Sequence, residues 1–127
     1  MGEGFKKLIV WQRAYSLVVE IYRMTERFPS KEQYCLVPQT RRAALSIIAN
    51  ISEGYERNYR KEYIRFLVIA KGSLGELETF LVLAKDLGYI NDDAFTRIEI
   101  LRKETAKTLV GLIRSLKIGP WTLASGP

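Results

Sequence analysis

The chain has 127 residues, with 20 Lys and Arg against 14 Asp and Glu, so it carries a net charge of +6 and has the length of a single domain. A hydrophobic fraction of 47% beside a charged fraction of 27% excludes a disordered chain. The absence of histidine excludes Ser-His-Asp hydrolases and histidine-based metal sites, and the one cysteine cannot form an internal disulfide, which favours the reducing cytoplasm.

The first two predicted elements are helices bounded by prolines. Apolar residues spaced by three and four predict a first helix over about residues 5–27. Pro29 ends this helix, because the residue before a proline is disfavoured in the α conformation. Pro38 suits the first position of a helix, where its missing N–H has no partner to lose, and the apolar spacing then predicts a second helix over about residues 38–57.

The third predicted helix, over about residues 60–87, has the longest uninterrupted apolar seam of the chain. Gly88 suits a left-handed C-terminal cap after it, and Asn91 suits the N-cap of a fourth helix over about residues 91–118. A non-helical tail, residues 119–127, follows. No alternating pattern typical of strands occurs. Four helices with short connections predict an all-α fold, an antiparallel up-down-up-down four-helix bundle that forms one domain over residues 1–118.

The third helix is apolar on more sides than a single bundle needs, which predicts a second interface with other copies of the chain. Gly72 and Gly75 indicate the same, because each interior glycine costs about 1 kcal/mol relative to alanine and close approach of another helix would offset that cost. A ligand cleft is the alternative reason for these two glycines. The alternative is a wide core face with scattered surface hydrophobes. The residues predicted to form the oligomer interface are Ile64, Val68, Val82 and, in the tail, Trp121.

Basic residues collect at the turn between the second and third helices. Their cations would pair with phosphates, and the neighbouring Tyr55 and Tyr59 would stack on unpaired bases. The alternative is a solvated turn whose tyrosines fold back onto the bundle. The predicted nucleic-acid-binding residues of this turn are Arg57, Arg60, Lys61 and Arg65.

The fourth helix adds three predicted nucleic-acid-binding residues, Arg102, Lys103 and Lys107. Salt bridges to Glu99 within the helix are the alternative for part of this group, because residues three and four apart are neighbours on a helix surface.

A separate, buried polar cluster is predicted between the second and third helices, with a functional site as the alternative. There it would set the register of the two helices. Its members are Arg42, Asn50, Glu53 and Glu76.

No set of residues predicts catalysis. Glu76 and Glu78 are two residues apart and therefore point to different sides of a helix, and no carboxylate pair has a companion nucleophile. The glycine-rich loops that bind phosphates in nucleotide-dependent enzymes are absent. No apolar run reaches the roughly 18 residues that a membrane span needs. We therefore expect a protein that is not an enzyme, with no metal, no cofactor, no small-molecule substrate and no membrane association.

Several short motifs, in order and at matching spacing over about residues 5–117, resemble a known family. They are Val10-Trp11-Gln12, Phe28-Pro29, Arg41-Arg42-Ala43-Ala44, Ser46-Ile47, Asn50-Ile51, Glu53-Gly54-Tyr55, Ala70-Lys71-Gly72-Ser73-Leu74 and Glu76-Leu77. The family is that of four-helix-bundle proteins encoded in intervening sequences of bacterial 23S rRNA genes. The resemblance implies a ring, typically a pentamer, with no established enzymatic activity. It also implies kinship with the accessory variability determinant proteins of diversity-generating retroelements, basic pentameric bundles that bind nucleic acid and a reverse transcriptase.

Taken together, the residues and the resemblance predict a cytoplasmic, non-enzymatic homo-oligomer, a homo-pentamer by the resemblance. It would bind structured RNA or RNA/DNA, with RNA preferred to DNA, as an accessory subunit of a reverse transcriptase. The competing prediction is a protein–protein scaffold with no nucleic-acid role, whose charge serves solubility.

Overall fold

The computed structural model describes residues 4–118. Four α-helices make up most of this part: α1 is Ile9–Thr25, α2 is Leu36–Glu56, α3 is Arg60–Asp86 and α4 is Asp92–Ile118. Two 3-10 turns, Gly4–Lys7 and Ser30–Glu32, precede α1 and α2. Residues 4–118 contain no strand, in agreement with the predicted all-α class. The tail, with the predicted interface residue Trp121, lies outside the described residues.

The ends of α1 and α2 differ from the predicted ones at the N-terminal side. The helix predicted from residue 5 begins at Ile9, because Leu8 is extended (φ −72°, ψ 130°) and separates α1 from the 3-10 turn before it. In contrast, α2 begins at Leu36, two residues before the predicted start. Pro38 therefore lies inside the first turn, where its missing N–H still costs no helical hydrogen bond.

The predicted caps around the α3–α4 connection are confirmed. Gly88 has a φ of +80°, the left-handed conformation that favours glycine. Asn91 Oδ1 accepts a hydrogen bond of 2.8 Å from the backbone N–H of Ala94, which satisfies a donor at the start of α4.

The helices pack around a shared apolar core. Helix α2 contacts α1 and α3, and α4 contacts α3 and α1, so the four helices close into a ring of neighbours. Every helix contributes fully buried side chains to this core, with 0% exposure at Leu17 of α1, Ile47 of α2, Leu77 of α3 and Leu109 of α4. None of the helices in residues 4–118 is both long and apolar enough to span a membrane.

Polar contacts across the core show which parts of the helices lie side by side. The Trp11 indole N–H, near the start of α1, donates to Ser52 Oγ near the end of α2 at 3.0 Å. At the other end of the same helix pair, the Arg41 guanidinium lies 4.5 Å from the centre of the Tyr22 ring. Each contact joins the beginning of one helix to the end of the other.

Helices α2 and α3 approach each other closely at Gly54. A Cβ atom at this position would lie 2.9 Å from Phe66 Cβ and 3.2 Å from the backbone oxygen of Tyr63. A real Cβ does not approach another carbon so closely, so only glycine permits this packing without a shift of α3. Burial at the same contact raises the pKa of Tyr63 to about 12.

Candidate nucleic-acid interface

The turn between α2 and α3 holds two of its predicted phosphate-binding arginines in contacts within the chain. Arg57 Nη2 donates to Glu53 Oε2 at 2.7 Å, and Arg65 Nη2 donates to Glu62 Oε1 at 3.1 Å. Both guanidiniums also lie over the Phe66 ring, at 5.1 and 4.6 Å from its centre. The hydrogen bond from Arg65 lowers the pKa of the Glu62 carboxyl, as a charge-assisted contact does.

The other members of the turn differ in their accessibility. Arg60 is half-buried, and its Nη1 donates to the carbonyl oxygen of Leu116 at 3.3 Å. Lys61 is exposed and has no ion pair among the described residues. Tyr59 is 64% exposed, whereas Tyr55 folds back onto the core with its ring edge-on to Tyr63, 6.1 Å between centres. The predicted combination of several free arginines with two stacking tyrosines is therefore not what the structure shows.

The prediction that Arg102 belongs to the nucleic-acid-binding surface is wrong. Arg102 is 7% exposed, and its Nε and Nη2 donate to both carboxylate oxygens of Glu99 at 2.6 and 2.9 Å. Its Nη2 also lies 3.0 Å from Glu78 Oε2, so the guanidinium joins α4 to α3. The hydrogen bond to Glu99 raises the pKa of Arg102. This buried, doubly paired guanidinium is not available to a phosphate, which corrects the prediction and confirms the predicted Glu99–Arg102 salt bridge.

Lys103 and Lys107 are exposed, as their predicted role requires. Arg114 lies on the same face of α4, because residues spaced by four and seven share a helix face, and it is also exposed. We call Lys103, Lys107 and Arg114 the α4 basic row. Within residues 4–118 none of the three has a carboxylate within ion-pair distance. Lys103 and Arg114 are 11 positions apart, which is about 16 Å along the helix.

Lys71 on α3 is a fourth exposed cation beside this row, and it has no ion pair in the described part of the chain. Two contacts define the register of the helices here: Arg102 with Glu78, and Arg60 with the Leu116 carbonyl. On α3, Lys71 lies between Arg60 and Glu78, the two residues that make these contacts. On α4, Lys107 lies between their partners Arg102 and Leu116. Arg114 was recognised from the sequence as one of the basic residues of the fourth helix, although it was not among the predicted nucleic-acid-binding residues. Lys71 was not predicted, because its place beside the row depends on the pairing of α3 with α4.

The predicted polar group between α2 and α3 divides into separate pairs. The Arg42 guanidinium forms an ion pair with Glu76 across the two helices, and both side chains are partly exposed. Asn50 Nδ2 donates to the backbone oxygen of Ser46 at 2.8 Å, and Ser46 Oγ lies 2.8 Å from Ser73 Oγ.

Glu53 does not belong to this polar group, because its carboxylate pairs with Arg57. The expected single buried cluster is thus wrong: its charged members are accessible to solvent. The cross-helix contacts that remain, Arg42 with Glu76 and Ser46 with Ser73, join α2 to α3.

The residues predicted for self-association lie on the outside of α3. Val68 is 48% and Val82 42% exposed, while Ile64 is partly buried. A Cβ atom at Gly72 or Gly75 would meet no atom within 4 Å. Close packing within the chain therefore does not account for these two glycines.

A groove of about 580 Å³ beside α2 is one candidate for a small-molecule site with a cation in its lining. Its Arg41 already donates from Nε to Thr25 Oγ1 at 2.8 Å and lies over the Tyr22 ring. In residues 4–118 no three His, Cys, Asp or Glu side chains are grouped so as to hold a metal ion. The α4 basic row, whose three exposed cations have no ion pair within residues 4–118, is a candidate site for binding an anion.

Comparison with known proteins identifies a matching family and a similar solved structure. Residues 6–111 match the family described as 23S rRNA-intervening sequence protein. A crystal structure of a protein of unknown function from the S23 ribosomal protein family of Bacteroides thetaiotaomicron superposes with a TM-score of 0.78 at 25% identity, covering 84% of this chain and 99% of that one. No curated protein matches the chain. Because the family match spans most of its length, the chain belongs to the 23S rRNA-intervening sequence protein family.

Proposed function

We propose that this chain is an antiparallel, up-down-up-down four-helix bundle that binds nucleic acid through the α4 basic row and Lys71, and that it is not an enzyme. The antiparallel order is supported by contacts that join the start of one helix to the end of its neighbour. Trp11 with Ser52 is one such contact between α1 and α2, and Arg60 with Leu116 is one between α3 and α4.

The observation that carries the proposed binding function is that the α4 basic row has no carboxylate partners among the described residues. A cation that is already paired must give up that partner before it can bind a phosphate, as Arg57 and Arg65 would have to. Unpaired cations avoid this cost and release counterions from the nucleic acid instead. The row therefore binds phosphates more favourably than the turn between α2 and α3.

Structured RNA is the nucleic acid that we propose, in preference to DNA. The family description connects its members with 23S rRNA intervening sequences, and this connection supports the choice of RNA. The α4 basic row contains no aromatic side chain on which an unpaired base could stack. Contacts of this kind go to the backbone of a folded RNA and read its shape rather than its sequence.

Self-association would strengthen this binding. A pentameric ring, which the resemblance implies, would gather a charge of about +30 on one particle and attract phosphates over a longer range. A reverse transcriptase in the cytoplasm is the protein partner that we propose for such a subunit. Co-purification of the two chains with and without ribonuclease tests whether RNA holds them together.

The binding function is tested by removing the charges of the α4 basic row. The variant Lys103→Gln, Lys107→Gln, Arg114→Gln is compared with Lys6→Gln, Lys7→Gln, Lys31→Gln, which changes the net charge equally at exposed residues elsewhere. Anisotropy of a fluorescent RNA hairpin is measured from about 50 to about 200 mM salt. We expect the first variant to reduce the slope of log affinity against log salt by about 2 to 3, and the second to reduce it by less than 1.

Equal weakening by the two triple variants would show that binding depends on net charge alone and would contradict a site on α4. Absence of RNA binding by the unaltered chain would favour the protein–protein scaffold instead. The observation that favours a scaffold is the exposed apolar surface of α3, where Val68 and Val82 are accessible.

A further inference from the structure

A groove between α1 and α4 has an aromatic end and a cationic end. Its first part, of about 600 Å³, is lined by Tyr15 and Val19 of α1 and by Ile100 of α4. Its second part, of about 460 Å³, continues toward the end of α1, where Met24 and Arg27 line it. Both volumes lie within the range of roughly 300 to 1,000 Å³ that is typical of small-molecule sites.

The two parts of the groove share a cluster of three charged side chains. Glu20 Oε1 accepts a hydrogen bond of 2.9 Å from Arg97 Nη1, and Glu20 Oε2 accepts one of 3.1 Å from Arg23 Nη1. All three residues line both parts. One carboxylate thus holds guanidiniums of two different helices beside the same groove, which orders them before a ligand binds.

The cluster keeps positive charge and hydrogen-bond donors after this internal pairing. A guanidinium has five N–H donors, and Arg23 and Arg97 each use one of them within the described residues. Their side chains are 74% and 63% exposed. Arg27 is exposed and has no ion pair in residues 4–118. Three guanidiniums and one carboxylate leave a charge of +2, so an anion can bind here without displacing Glu20.

The other end of the groove offers an ordered aromatic ring. Tyr15 is 53% exposed, and its ring stacks on Trp11 with 5.3 Å between the centres and 27° between the planes. Trp11 is held in turn by the hydrogen bond from its indole N–H to Ser52 Oγ. Arg23 is eight positions from Tyr15, which is about 12 Å along α1. The two ends together fit a small molecule that joins a planar ring system to an anion.

We propose that this groove binds a nucleoside 5′-monophosphate, with its phosphate at Arg23, Arg27 and Arg97 and its base against Tyr15 and Ile100. A phosphate monoester carries a charge of about −1.5 to −2 at pH 7, which matches the charge of the groove. Its oxygens accept the remaining guanidinium donors. The ligand is a free mononucleotide or the 5′-phosphorylated end of an RNA chain, since both present the same group. The proposal does not depend on the α4 basic row.

Calorimetric titration of the unaltered chain tests whether both ends of the groove are used. The titrants are AMP, adenosine and inorganic phosphate. We expect AMP to bind tighter than either of the other two by about tenfold or more, because only AMP engages the arginines and the aromatic ring together. Absence of AMP binding, or an affinity for AMP equal to that for phosphate or for adenosine, would overturn the proposal.

Charge variants test the cationic end. Arg97→Gln should weaken AMP binding by about tenfold or more, since it removes charged donors to the phosphate. The matched control is Lys117→Gln, which removes the same charge from an exposed position of α4 outside the groove and should leave the affinity for AMP unchanged. Equal weakening by the two substitutions would show that AMP responds to net charge alone and would overturn the proposed site.

Tyrosine variants test the aromatic end. Tyr15→Leu should weaken AMP binding by about fivefold or more and leave the affinity for inorganic phosphate unchanged. Tyr15→Phe should bind AMP like the unaltered chain, because the ring and not the hydroxyl stacks on the base. Because the substituted side chains are exposed, the melting temperature of each variant should match that of the unaltered chain. A Tyr15→Leu chain that binds AMP normally would contradict the placement of the base.

Competition distinguishes the two sources of the nucleotide. An RNA trinucleotide with a 5′-phosphate that displaces AMP, while its 5′-hydroxyl form does not, would support the site and assign it to RNA ends. AMP binding that the phosphorylated trinucleotide does not displace would support the site and assign it to free mononucleotides. Displacement by both forms alike would show that the 5′-phosphate is not recognised and would overturn the proposal.

Discussion

The inner and outer sides of α3 differ in whether the chain itself accounts for their unfavourable features. On the inner side, Gly54 of α2 is explained by its contact with Phe66, and the buried Arg102 is explained by its two carboxylate partners. On the outer side, a Cβ atom at Gly72 or Gly75 would meet no atom within 4 Å among residues 4–118. The difference teaches that contacts within the chain account for the inner side of α3, whereas they leave the two glycines of its outer side unexplained.

The largest expected effect comes from removal of the Arg102 guanidinium, which joins α4 to α3. Arg102→Ala leaves the buried Glu99 without its two hydrogen bonds, so we expect the free energy of unfolding to fall by about 3 kcal/mol. Urea denaturation measures this change. Lys103→Ala, next to it on the exposed surface, should change the same quantity by less than about 0.5 kcal/mol. Similar effects of the two substitutions would show that the buried ion pair does not stabilise the fold.

The next effect is a dependence of stability on alkaline pH. Tyr63 has a pKa raised to about 12 by burial, while an unfolded chain would titrate near 10. Below about pH 10 both states are protonated and the stability is complete; above it the unfolded state loses its proton first, so stability falls as the pH rises toward 12. We expect a loss of about 2 kcal/mol, measured by urea denaturation at each pH.

Tyrosine variants separate this effect from general alkaline denaturation. Tyr63→Phe should remove most of the decline between pH 10 and 12, because no proton remains to be lost at the buried site. Tyr59→Phe, at a position that is 64% exposed, should leave the decline unchanged. If the two variants behave alike, the buried phenol is not the group responsible.

The smallest expected effects are those of two glycine substitutions, one at Gly54 of α2, which contacts the inner side of α3, and one at Gly72 on its outer side. Gly54→Ala should lower the free energy of unfolding by about 1 kcal/mol, since the collision with Phe66 exceeds the gain in helix propensity. Gly72→Ala should raise it by about 0.5 to 1 kcal/mol, because its Cβ enters open space. Thermal unfolding at low protein concentration measures both. Changes of the same sign at the two positions would contradict the distinction between the inner and outer sides.

Much of the local structure was predictable from the sequence because it depends on neighbours along the chain. Asn91 and Gly88 cap their helices as expected, and the Glu99–Arg102 salt bridge follows from a spacing of three residues. The start of α1 was predicted less well, because Phe5 continues the apolar helical pattern although Gly4–Lys7 forms a separate 3-10 turn and Leu8 is extended.

The candidate site was predictable only in part. Lys103 and Lys107 are exposed as expected, but the burial of Arg102 depends on Glu78, which lies on a different helix. The turn between α2 and α3 was expected to present free arginines, yet carboxylates one helical turn away pair with Arg57 and Arg65. Sequence spacing allowed both possibilities, and the rotamers of these side chains decided between them.

The sequence by itself determined that the protein is built of four helices, where most of them end, and that it carries excess positive charge, because these properties follow from periodicity, capping residues and composition. Only the tertiary structure decided which cations are free. Ion pairs between helices engage Arg42 and Arg102, whereas the cations of the α4 basic row form none within residues 4–118. Close packing between helices explains Gly54 but not Gly72 or Gly75. The reason is that ion pairing and close packing depend on distances between residues far apart in the chain, which no local pattern encodes.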